Sequence, residues 1–360
     1  MPANTLVANP PRYPATLRCI EKWFETDDCV SLLLAGADDH QFDFKPGQFV
    51  TLGVNIGDST EYRAYSISSL PGQSWLQLTV KRVEGGKVSN YIVDQLAVGE
   101  QVECLAPAGE FNNIDCPPIS VEGKRKALLI SAGCGITPVF AMAQAWLAEE
   151  NSGSETDITF LHIARNIEQT IYFNKLKALA ANHANFNLQL LLKEAQESDY
   201  PQGRLSAEWL ETLVADFKQR SVYLCGPNQF MLDTASYLEQ LGYEMNHFHQ
   251  ESFTPTATES NQAHNANNEV DGNNDVNIEL PSLGQSLQAS RGTLLADALE
   301  QGGVPIIIAC RSGICGSCKC KVKVGQVESS SHSPLTEEEI AQGYVLACSS
   351  TLNDDVTIEL

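Results

Sequence analysis

Four cysteines near the C-terminal end have a spacing that could hold a metal–sulfur cluster. Cys310, Cys315, Cys318 and Cys348 follow the pattern C-x4-C-x2-C-x29-C, and C-x4-C-x2-C with a distant fourth cysteine is typical of one class of [2Fe–2S] site. Such a cluster needs four thiolates, here three from one loop and a fourth from elsewhere. The alternative is a zinc site, which prefers paired C-x2-C knuckles, and only one such pair lies outside the following strand. The spacing therefore predicts a [2Fe–2S] cluster.

The other cysteines lack this spacing. Cys320 lies on the strand-like segment Lys319–Val324, where lysines alternate with Cys320 and two valines. This period of two places Cys320 with the valines, facing a core, so we expect it not to be a ligand. Eleven cysteines in a chain without a secretory signal favour metal or redox use over a disulfide framework. Four cysteines without a surrounding motif are predicted to be packing thiols: Cys19, Cys29, Cys104 and Cys116.

Two glycine-containing turns could bind phosphate groups. Gly85-Gly86-Lys87-Val88-Ser89 precedes a helical stretch, and a helix that opens on glycine offers free N–H donors and the positive end of its dipole. A simple turn capped by Ser89 is the alternative. The second turn, Ser131–Pro138, lies between an apolar strand and a helix. Gly133 and Gly135 would let a dinucleotide approach the backbone, and Pro138 suits the first helical turn.

The hydrophobic periodicity divides the chain into parts. Residues 12–117 alternate polar and apolar side chains, which predicts an antiparallel β-barrel. Residues 124–253 alternate apolar strands with helix-length segments, which predicts an α/β domain with a doubly wound parallel sheet. Residues 254–275 contain no aromatic residue and many Asn, which predicts a flexible acidic linker. Residues 276–360 mix strands and one or two helices around the cysteine cluster.

The charge balance excludes several classes of partner. The 360 residues include 45 acidic and 23 basic residues, a net charge of −22. A nucleic-acid partner is not expected because phosphate binding needs a basic face, and an anionic membrane surface is disfavoured for the same reason. No apolar run reaches the roughly 18–20 residues that span a bilayer, and no secretory signal is recognised. We therefore expect a cytoplasmic protein that is steered toward basic surfaces of other proteins.

The segment Arg63-Ala64-Tyr65-Ser66 resembles the R-x-Y-S motif of the ferredoxin–NADP reductase superfamily. In that family the motif lines a flavin site at the mouth of a barrel. The resemblance implies that Arg63 pairs with the flavin pyrophosphate, Tyr65 stacks on the isoalloxazine and Ser66 hydrogen-bonds near N5. It implies FAD rather than FMN, because FMN lacks the pyrophosphate that the glycine turn would bind through Gly86, Val88 and Ser89.

The same resemblance extends to the nicotinamide site. The pattern G-x-G-x-x-P is that superfamily's version of the turn, and in the family Cys225-Gly226-Pro227 and Thr137 line the pocket where nicotinamide meets flavin. A positioning role is expected for Cys225, because nothing near it in the sequence supplies a base. In the family an acidic residue and a terminal aromatic residue lie beside the flavin; for Phe253 the alternative is ordinary core. The residues expected closest to the chemistry are Ser66, Thr137, Cys225 and Glu251.

The choice of nicotinamide depends on the segment from Arg165 to Glu168, which follows the second strand of the α/β part. Glu168 would repel a 2′-phosphate and could accept hydrogen bonds from ribose hydroxyls. Arg165 could tolerate the phosphate. The segment therefore favours NADH, with NADPH as the alternative.

The C-terminal segments Ala309–Cys318 and Tyr344–Cys348 resemble a plant-type ferredoxin domain, which implies a β-grasp fold with Thr293–Gln301 as its helix. The whole chain resembles the NADH oxidoreductases that serve hybrid-cluster protein. This resemblance implies hydride transfer from NADH to FAD, then single electrons through the cluster to a partner metalloprotein such as hybrid-cluster protein. The first alternative is the reductase of a multicomponent oxygenase. A non-catalytic electron-relay subunit or a redox sensor is a further alternative.

Overall fold

The computed structural model describes residues 13–36, 40–149, 155–253, 275–311, 313, 315–332 and 335–360. The chain divides into two compact units, with the main boundary between Phe253 and Thr254. Apart from Asp275, the predicted linker at 254–275 lies outside the described residues. Among the helices of the described part, none is both long and apolar enough to cross a bilayer.

The N-terminal part of the first unit is a six-stranded sheet that closes on itself. The strand order is β4-β3-β6-β1-β2-β5, and a bridge between Ile67 and Leu78 joins the end of β4 to β5. In the first half of β1, buried residues alternate with exposed ones, which is the period expected of a strand with one side in a core. The elements are β1 (Ala15–Thr26), β2 (Cys29–Ala35), β3 (Phe49–Ile56), β4 (Ser59–Ser66), β5 (Trp75–Lys81), α1 (Lys87–Asp94) and β6 (Gln101–Cys104).

The rest of the first unit is a parallel sheet in the order β10-β9-β8-β11-β12. The short strand β7 pairs antiparallel with β8 and thus extends this sheet to the N-terminal side of residue 124. The predicted doubly wound sheet is confirmed. Its elements are β7 (Ile119–Val121), β8 (Lys124–Ala132), α2 (Ile136–Ala148), β9 (Thr156–Ala164), α3 (Phe173–Asn182), β10 (Phe186–Leu192), α4 (Ala207–Leu213), β11 (Ser221–Cys225), α5 (Asn228–Gln240) and β12 (Phe248–Glu251).

The strand order reverses between β8 and β11, because the chain continues from β8 to one side of the sheet and from β11 to the other. Ligands of open α/β sheets bind at such a switch point, beyond the carboxyl ends of the strands. Ser131 near the end of β8 pairs with Cys225 at the end of β11. The two predicted nicotinamide turns, Gly133–Pro138 and Gly226-Pro227, therefore begin side by side.

The second unit is a five-stranded mixed sheet in the order β14-β13-β19-β15-β17, with a separate pair of β16 and β18. Strands β13 and β19 run parallel, and the side chains of the helix α6 pack into the core of this sheet, as in a β-grasp. The helix begins at Leu295, two residues after the predicted start. The elements are β13 (Asp275–Leu280), β14 (Gln285–Ser290), α6 (Leu295–Gln301), β15 (Lys319–Val324), β16 (Val327–Ser329), α7 (Glu337–Ala341), β17 (Tyr344–Leu346), β18 (Ser350–Leu352) and β19 (Val356–Glu359).

Candidate functional site

The predicted flavin motif lies at the end of β4, where the barrel closes. Ser66 is 3% exposed, and its Oγ has no hydrogen-bond partner among the described residues. A buried hydroxyl without a partner costs free energy, so it is suited to a ligand that supplies one. Arg63 is half-buried and donates from Nη1 to the Tyr62 carbonyl at 2.6 Å, which leaves other guanidinium N–H groups for a phosphate.

The glycine turn that precedes α1 supplies the second half of the predicted flavin site. Gly86 is the N-cap residue of α1, and a Cβ at this position would lie 2.5 Å from Ser89 Oγ. Ser89 Oγ accepts a hydrogen bond from the Val83 N–H at 3.2 Å, so this hydroxyl braces the turn. The Val88 side chain lies in the barrel core, and only its backbone N–H is available to a ligand. The free N–H groups of this first turn and the unpartnered Ser66 hydroxyl fit a dinucleotide flavin.

The first of the two predicted nicotinamide turns, Gly133–Pro138, packs closely against the end of β11 and is called the nicotinamide turn from here on. A Cβ on Gly135 would lie 2.2 Å from the Cys225 carbonyl oxygen and 2.6 Å from the Gly226 nitrogen, so only glycine fits there. Thr137 is 2% exposed and donates from Oγ1 to the Cys134 carbonyl at 3.0 Å. The hydroxyl of Thr137 therefore fixes the shape of the turn. Pro138 is the third residue of α2 and is buried.

We expect Gly135→Ala to raise the KM for NADH more than Gly133→Ala, because only the first substitution displaces the predicted nicotinamide turn. The first substitution pushes a methyl group into the backbone of β11, which costs about 1–3 kcal/mol of overpacking and displaces the turn. Gly133 has φ +54° with nothing within 4 Å of its Cβ position, so alanine there costs about 1–2 kcal/mol of backbone strain. Thermal unfolding and the KM for NADH measure both effects. Equal impairment by the two substitutions would contradict the packing argument.

Cys225 and Glu251 are paired residues on neighbouring parallel strands. Cys225 is fully buried, and burial raises the pKa of its thiol well above the usual range, with the nearby Glu251 as a second cause. A thiol with a raised pKa is a poor nucleophile, which supports the predicted positioning role. Glu251 is 8% exposed, and its Oε2 has no partner among the described residues. Burial raises the pKa of Glu251 to about 8.

We expect the rate of NADH-dependent flavin reduction to fall as the pH rises through about 8, where Glu251 loses its proton. Below that pH the buried carboxyl group is neutral and can donate a hydrogen bond. Above it, the buried charge opposes the negative charge that hydride brings into the site. Glu251→Gln is neutral at every pH, so its profile should lack this step. Stopped-flow flavin reduction across the pH range tests this, and a step that persists in the variant would exclude Glu251 as its source.

The segment predicted to discriminate between NADH and NADPH lies at the carboxyl end of β9. Both Arg165 and Glu168 are exposed. Arg165 donates from Nε to Glu194 Oε1 at 3.1 Å, and the Glu194 N–H donates to the Arg165 carbonyl at 2.7 Å. Glu194 follows β10 and was not predicted from the sequence, because only the pairing of β9 with β10 brings it to Arg165. Phe253 is 43% exposed, so the alternative prediction, that it is an ordinary core residue, is wrong.

A buried hydrogen-bonded pair on the strands β8 and β9 was also not predicted from the sequence. Ser131 Oγ and His162 Nδ1 are 2.9 Å apart on paired strands, and both residues are fully buried. Burial lowers the pKa of His162 to about 3, so the ring is neutral. Its Nε2 has no partner among the described residues. No local sequence signal joins these residues, since their contact depends on the register of β8 against β9.

The second unit brings the four predicted cluster cysteines together. The Cys348 N–H donates to Cys318 Sγ at 3.4 Å, and the neighbouring Cys310 thiol raises the pKa of both Cys315 and Cys348. Gly313 has φ +71°, and a Cβ there would lie 2.7 Å from the Cβ of Ser331, so the loop needs glycine at this position. Cys320 is 1% exposed within the core of the unit, as its alternation predicts.

The thiol arrangement fits a two-iron cluster. Cys318 and Cys348 are buried, whereas Cys310 and Cys315 are half-buried, so one side of the set is more accessible. A [2Fe–2S] cluster spreads four thiolates over two irons, whereas zinc draws four ligands onto one ion. Arg311 holds the loop against α6 through Asp297 at 2.8 Å.

Comparison with known families matches each part of the chain. Residues 21–113 match the oxidoreductase FAD-binding domain family, residues 129–236 the oxidoreductase NAD-binding domain family and residues 278–353 the 2Fe-2S iron-sulfur cluster binding domain family. The chain is 35% identical over 357 residues to the glycine betaine monooxygenase reductase subunit of Pseudomonas aeruginosa (strain UCBPP-PA14), covering 95% of this chain and 94% of the relative. It is 30% identical over 335 residues to the NADH oxidoreductase HCR of Escherichia coli (strain K12), covering 93% and 94%.

Among solved structures, phthalate dioxygenase reductase has the same fold, with a TM-score of 0.62 at 21% identity over 96% of this chain and 97% of that chain. The FAD/NAD-binding domain of the nitric oxide dioxygenase of Vibrio cholerae O1 biovar El Tor matches 68% of this chain and all of its own, with a TM-score of 0.59 at 29% identity. The two structures thus match the whole chain and its FAD/NAD-binding part respectively. The chain therefore belongs to the family of NAD(H)-dependent oxidoreductases that pass electrons from an FAD-binding barrel and an NAD-binding domain to a C-terminal [2Fe–2S] ferredoxin domain.

Proposed function

We propose that this protein is an NADH-dependent reductase that delivers single electrons to a partner metalloprotein. The observation on which the proposal rests is the switch point of the parallel sheet. There the predicted nicotinamide turn packs against the end of β11, and burial raises the pKa of Glu251 at the end of the neighbouring strand. Bound FAD would accept a hydride from NADH and release electrons singly to the cluster. The reaction needs no nucleophile from the protein, which agrees with the buried thiol of Cys225.

The residues of this protein would bind and orient the flavin and the nicotinamide. We propose that Arg63 and the first turn of α1 hold the flavin pyrophosphate, with Val88 and Ser89 contributing backbone N–H groups and Gly86 allowing a close approach, and that Tyr65 and Phe253 contact the flavin ring. Ser66 would hydrogen-bond at the reacting edge of the ring. The nicotinamide turn, with Gly133, Gly135, Thr137 and Pro138, would hold the nicotinamide together with Cys225, Gly226 and Pro227. The four cysteines that we propose as cluster ligands are Cys310, Cys315, Cys318 and Cys348.

We propose that NADH is the donor because two carboxylates, Glu168 and Glu194, follow the strands β9 and β10, beyond which the ribose of a bound dinucleotide would lie. The ribose of a dinucleotide lies beyond the second strand, here β9, which leads to Glu168. Glu194 forms a 3.1 Å ion pair with Arg165, so it would compete with a 2′-phosphate for the guanidinium group. A relative of the chain is named an NADH oxidoreductase, which supports the same choice.

Glu168→Arg should raise the use of NADPH relative to NADH. The substitution removes a like charge and adds an opposite one near the 2′-phosphate, which should shift discrimination by on the order of 1–3 kcal/mol. The ratio of kcat/KM for the two nucleotides measures it. Glu211→Arg is the matched control, because it makes the same charge change at an exposed position on α4. If both variants shift the ratio equally, only the overall charge matters and Glu168 does not face the ribose.

Two acceptors are supported by different observations. The resemblance of the motifs to the NADH oxidoreductases that serve hybrid-cluster protein favours that protein as the acceptor. The Pseudomonas aeruginosa relative at 35% identity is named a glycine betaine monooxygenase reductase subunit, which favours an oxygenase. Either acceptor would be expected to present a basic surface, because this chain carries a net charge of −22. A cytoplasmic location stays a prediction.

Anaerobic reduction of purified acceptors tests the proposal. Each candidate acceptor would be mixed with NADH and a catalytic amount of this protein, and the reduction of its metal centre would be followed optically. We expect one acceptor to be reduced much faster than the other, with a rate that falls as salt screens the contact. If the protein reduces neither acceptor yet reduces ferricyanide with NADH, both named partners are wrong. If it fails to oxidise NADH, the proposed function itself is wrong.

A further inference from the structure

A buried chain of hydrogen bonds joins the α/β part of the first unit to the barrel. It begins at the hydroxyl of Tyr172, just before α3, which bonds to the hydroxyl of Thr79 on β5. Thr79 Oγ1 lies 2.7 Å from Ser31 Oγ on β2, and Ser31 Oγ donates to Glu25 Oε1 on β1 at 2.7 Å. Ser31, Thr79 and Tyr172 are 0%, 2% and 1% exposed. The chain therefore runs through the interior from one part of the unit to the other.

The donors and acceptors along this chain have a fixed order. Glu25 Oε1 also accepts a hydrogen bond from Trp23 Nε1 at 2.8 Å, and an indole nitrogen can only donate, so this oxygen is an acceptor. Because Ser31 has one hydroxyl hydrogen, which it gives to Glu25, it must accept from Thr79. Thr79 in turn must accept from Tyr172. Removal of the Tyr172 hydroxyl would therefore take away the first donor of the chain and leave Thr79 Oγ1 with an unused buried acceptor.

The helix α3 contacts the barrel at a second point. Lys175 Nζ, in the first turn of α3, lies 3.5 Å from Glu25 Oε1, and the Glu25 side chain is 10% exposed. The same ammonium group stands 5.3 Å from the ring centroid of Trp23 and 4.8 Å from that of Tyr172. Glu25 lies at a register shift of β1 against β2, and such bulges redirect side chains. Both ends of the hydrogen-bond chain are thus held by α3 and the residue before it.

Tyr172 has an unusual backbone conformation at this contact. Its φ is 62° and its ψ is 21°, in the left-handed region that a bulky side chain seldom adopts. Its ring packs against Phe140 of α2, with the centroids 4.5 Å apart. A residue persists in such a conformation only where the surrounding structure holds it there. The contacts of the Tyr172 side chain are therefore the interactions that hold the start of α3 in place.

Thr79 connects this chain to the proposed reaction site. Its backbone carbonyl accepts a hydrogen bond from Cys134 Sγ in the nicotinamide turn at 3.6 Å. The residue before it, Leu78, forms a bridge with Ile67, which directly follows the proposed flavin residue Ser66. A single residue of β5 thus contacts the nicotinamide turn with its backbone and the start of α3 with its side chain.

We propose that Tyr172 is a positioning residue for hydride transfer, which holds the nicotinamide turn in place against the barrel through Thr79. Without the Tyr172 hydroxyl, the Thr79 hydroxyl is free to turn and the junction between β5 and the nicotinamide turn loosens. Because small misplacements of reacting groups are costly, hydride transfer should slow by on the order of tenfold. The affinity for NADH should change little, since Tyr172 is not among the residues proposed to bind it. This inference rests on the proposed function.

Stopped-flow flavin reduction and hydrogen–deuterium exchange on the FAD-loaded full-length protein test the proposal. Tyr172→Phe keeps the ring that packs against Phe140 and removes only the hydroxyl. At saturating NADH, we expect the limiting rate of flavin reduction to fall by on the order of tenfold, with the Kd for NADH unchanged. Amide exchange should become faster both in residues 67–81 of the barrel and in α3, because the chain joins these segments. The exchange measurement needs no NADH.

Tyr243→Phe is the matched control for this variant. Tyr243 is 6% exposed, and its hydroxyl bonds to the backbone of Arg220, Val222 and His247, all in the α/β part. The control removes a comparably buried hydroxyl without touching this chain, so it should lower the unfolding temperature but keep the parent limiting rate and the parent exchange in residues 67–81. A parent limiting rate in Tyr172→Phe, or equal slowing in both variants, would overturn the proposal.

Two substitutions of Thr79 test the same chain at its centre, even if Tyr172→Phe folds poorly. Thr79→Val replaces the hydroxyl with a methyl group of similar size and should slow flavin reduction as Tyr172→Phe does. Thr79→Ser keeps the hydroxyl and should retain a rate near that of the parent; a serine variant as slow as the valine variant would contradict the proposal. If NADH fails to reduce the flavin of the parent protein, the proposed function is wrong, whereas parent rates in the variants would refute only the positioning role.

Discussion

Deletion of residues 254–360 should leave a flavoprotein that still reduces ferricyanide with NADH and reduces cytochrome c roughly tenfold or more slowly. The first unit contains complete hydrophobic clusters of its own, and the core of the second unit is built only from residues at or beyond Val276. Because the cores are separate, removal of one unit should not unfold the other. Ferricyanide can take electrons directly from flavin, whereas cytochrome c reduction should require the single-electron relay of the cluster.

The truncated protein needs two controls. Its FAD content should equal that of the full chain, which excludes loss of the flavin as the reason for slower cytochrome c reduction. A separately produced fragment of residues 254–360 should restore part of that activity when it is added in excess. Aggregation of the truncated protein would show that the two units depend on each other for folding.

Serine at any of the four proposed ligands should remove the cluster or make it labile. A hydroxyl is a harder and far less acidic ligand than a thiolate, so each Cys→Ser change takes one strong Fe–S bond from the site. The variants are Cys310→Ser, Cys315→Ser, Cys318→Ser and Cys348→Ser. Iron and acid-labile sulfide per chain measure the loss, and NADH-dependent ferricyanide reduction should remain, because the residues proposed to hold the flavin precede the C-terminal domain in the sequence.

Cys320→Ser is the matched control for this series. Cys320 is as buried as Cys318 and belongs to the same apolar cluster, but it lies on the strand β15, after the loop that contains Cys310, Cys315 and Cys318. Burying a hydroxyl there should cost about 1–3 kcal/mol of stability without loss of iron. An empty site in Cys320→Ser together with a full site in Cys318→Ser would show that the ligand assignment is wrong.

Local signals in the sequence were sufficient for the cluster loop and the fold classes. Three of the four cysteines lie within one loop, so their spacing alone predicts that they meet. The alternation of β15 likewise predicts the core position of Cys320. The β-α order of residues 124–253 predicts the parallel sheet, because short crossovers of this kind join parallel neighbours.

Contacts between distant segments were not predictable in the same way. Glu194 meets Arg165 through the pairing of β9 with β10, and His162 meets Ser131 through the register of β8. The sequence contains each of these residues without any pattern that links them, because register and packing depend on the whole sheet rather than on spacing along the chain.

The most direct test of the electron path is an anaerobic titration of the purified full-length protein with NADH, after its FAD, iron and sulfide have been counted. We predict one FAD, two irons and two sulfides per chain, and that NADH bleaches both the flavin and the cluster absorbance. In Cys315→Ser, NADH should still bleach the flavin, while the absorbance of the cluster is missing from the start. Equimolar FMN in place of FAD would contradict the assignment of the turn at Gly86. A cluster that stays oxidised while the flavin of the parent protein is reduced by NADH would contradict the proposed path itself.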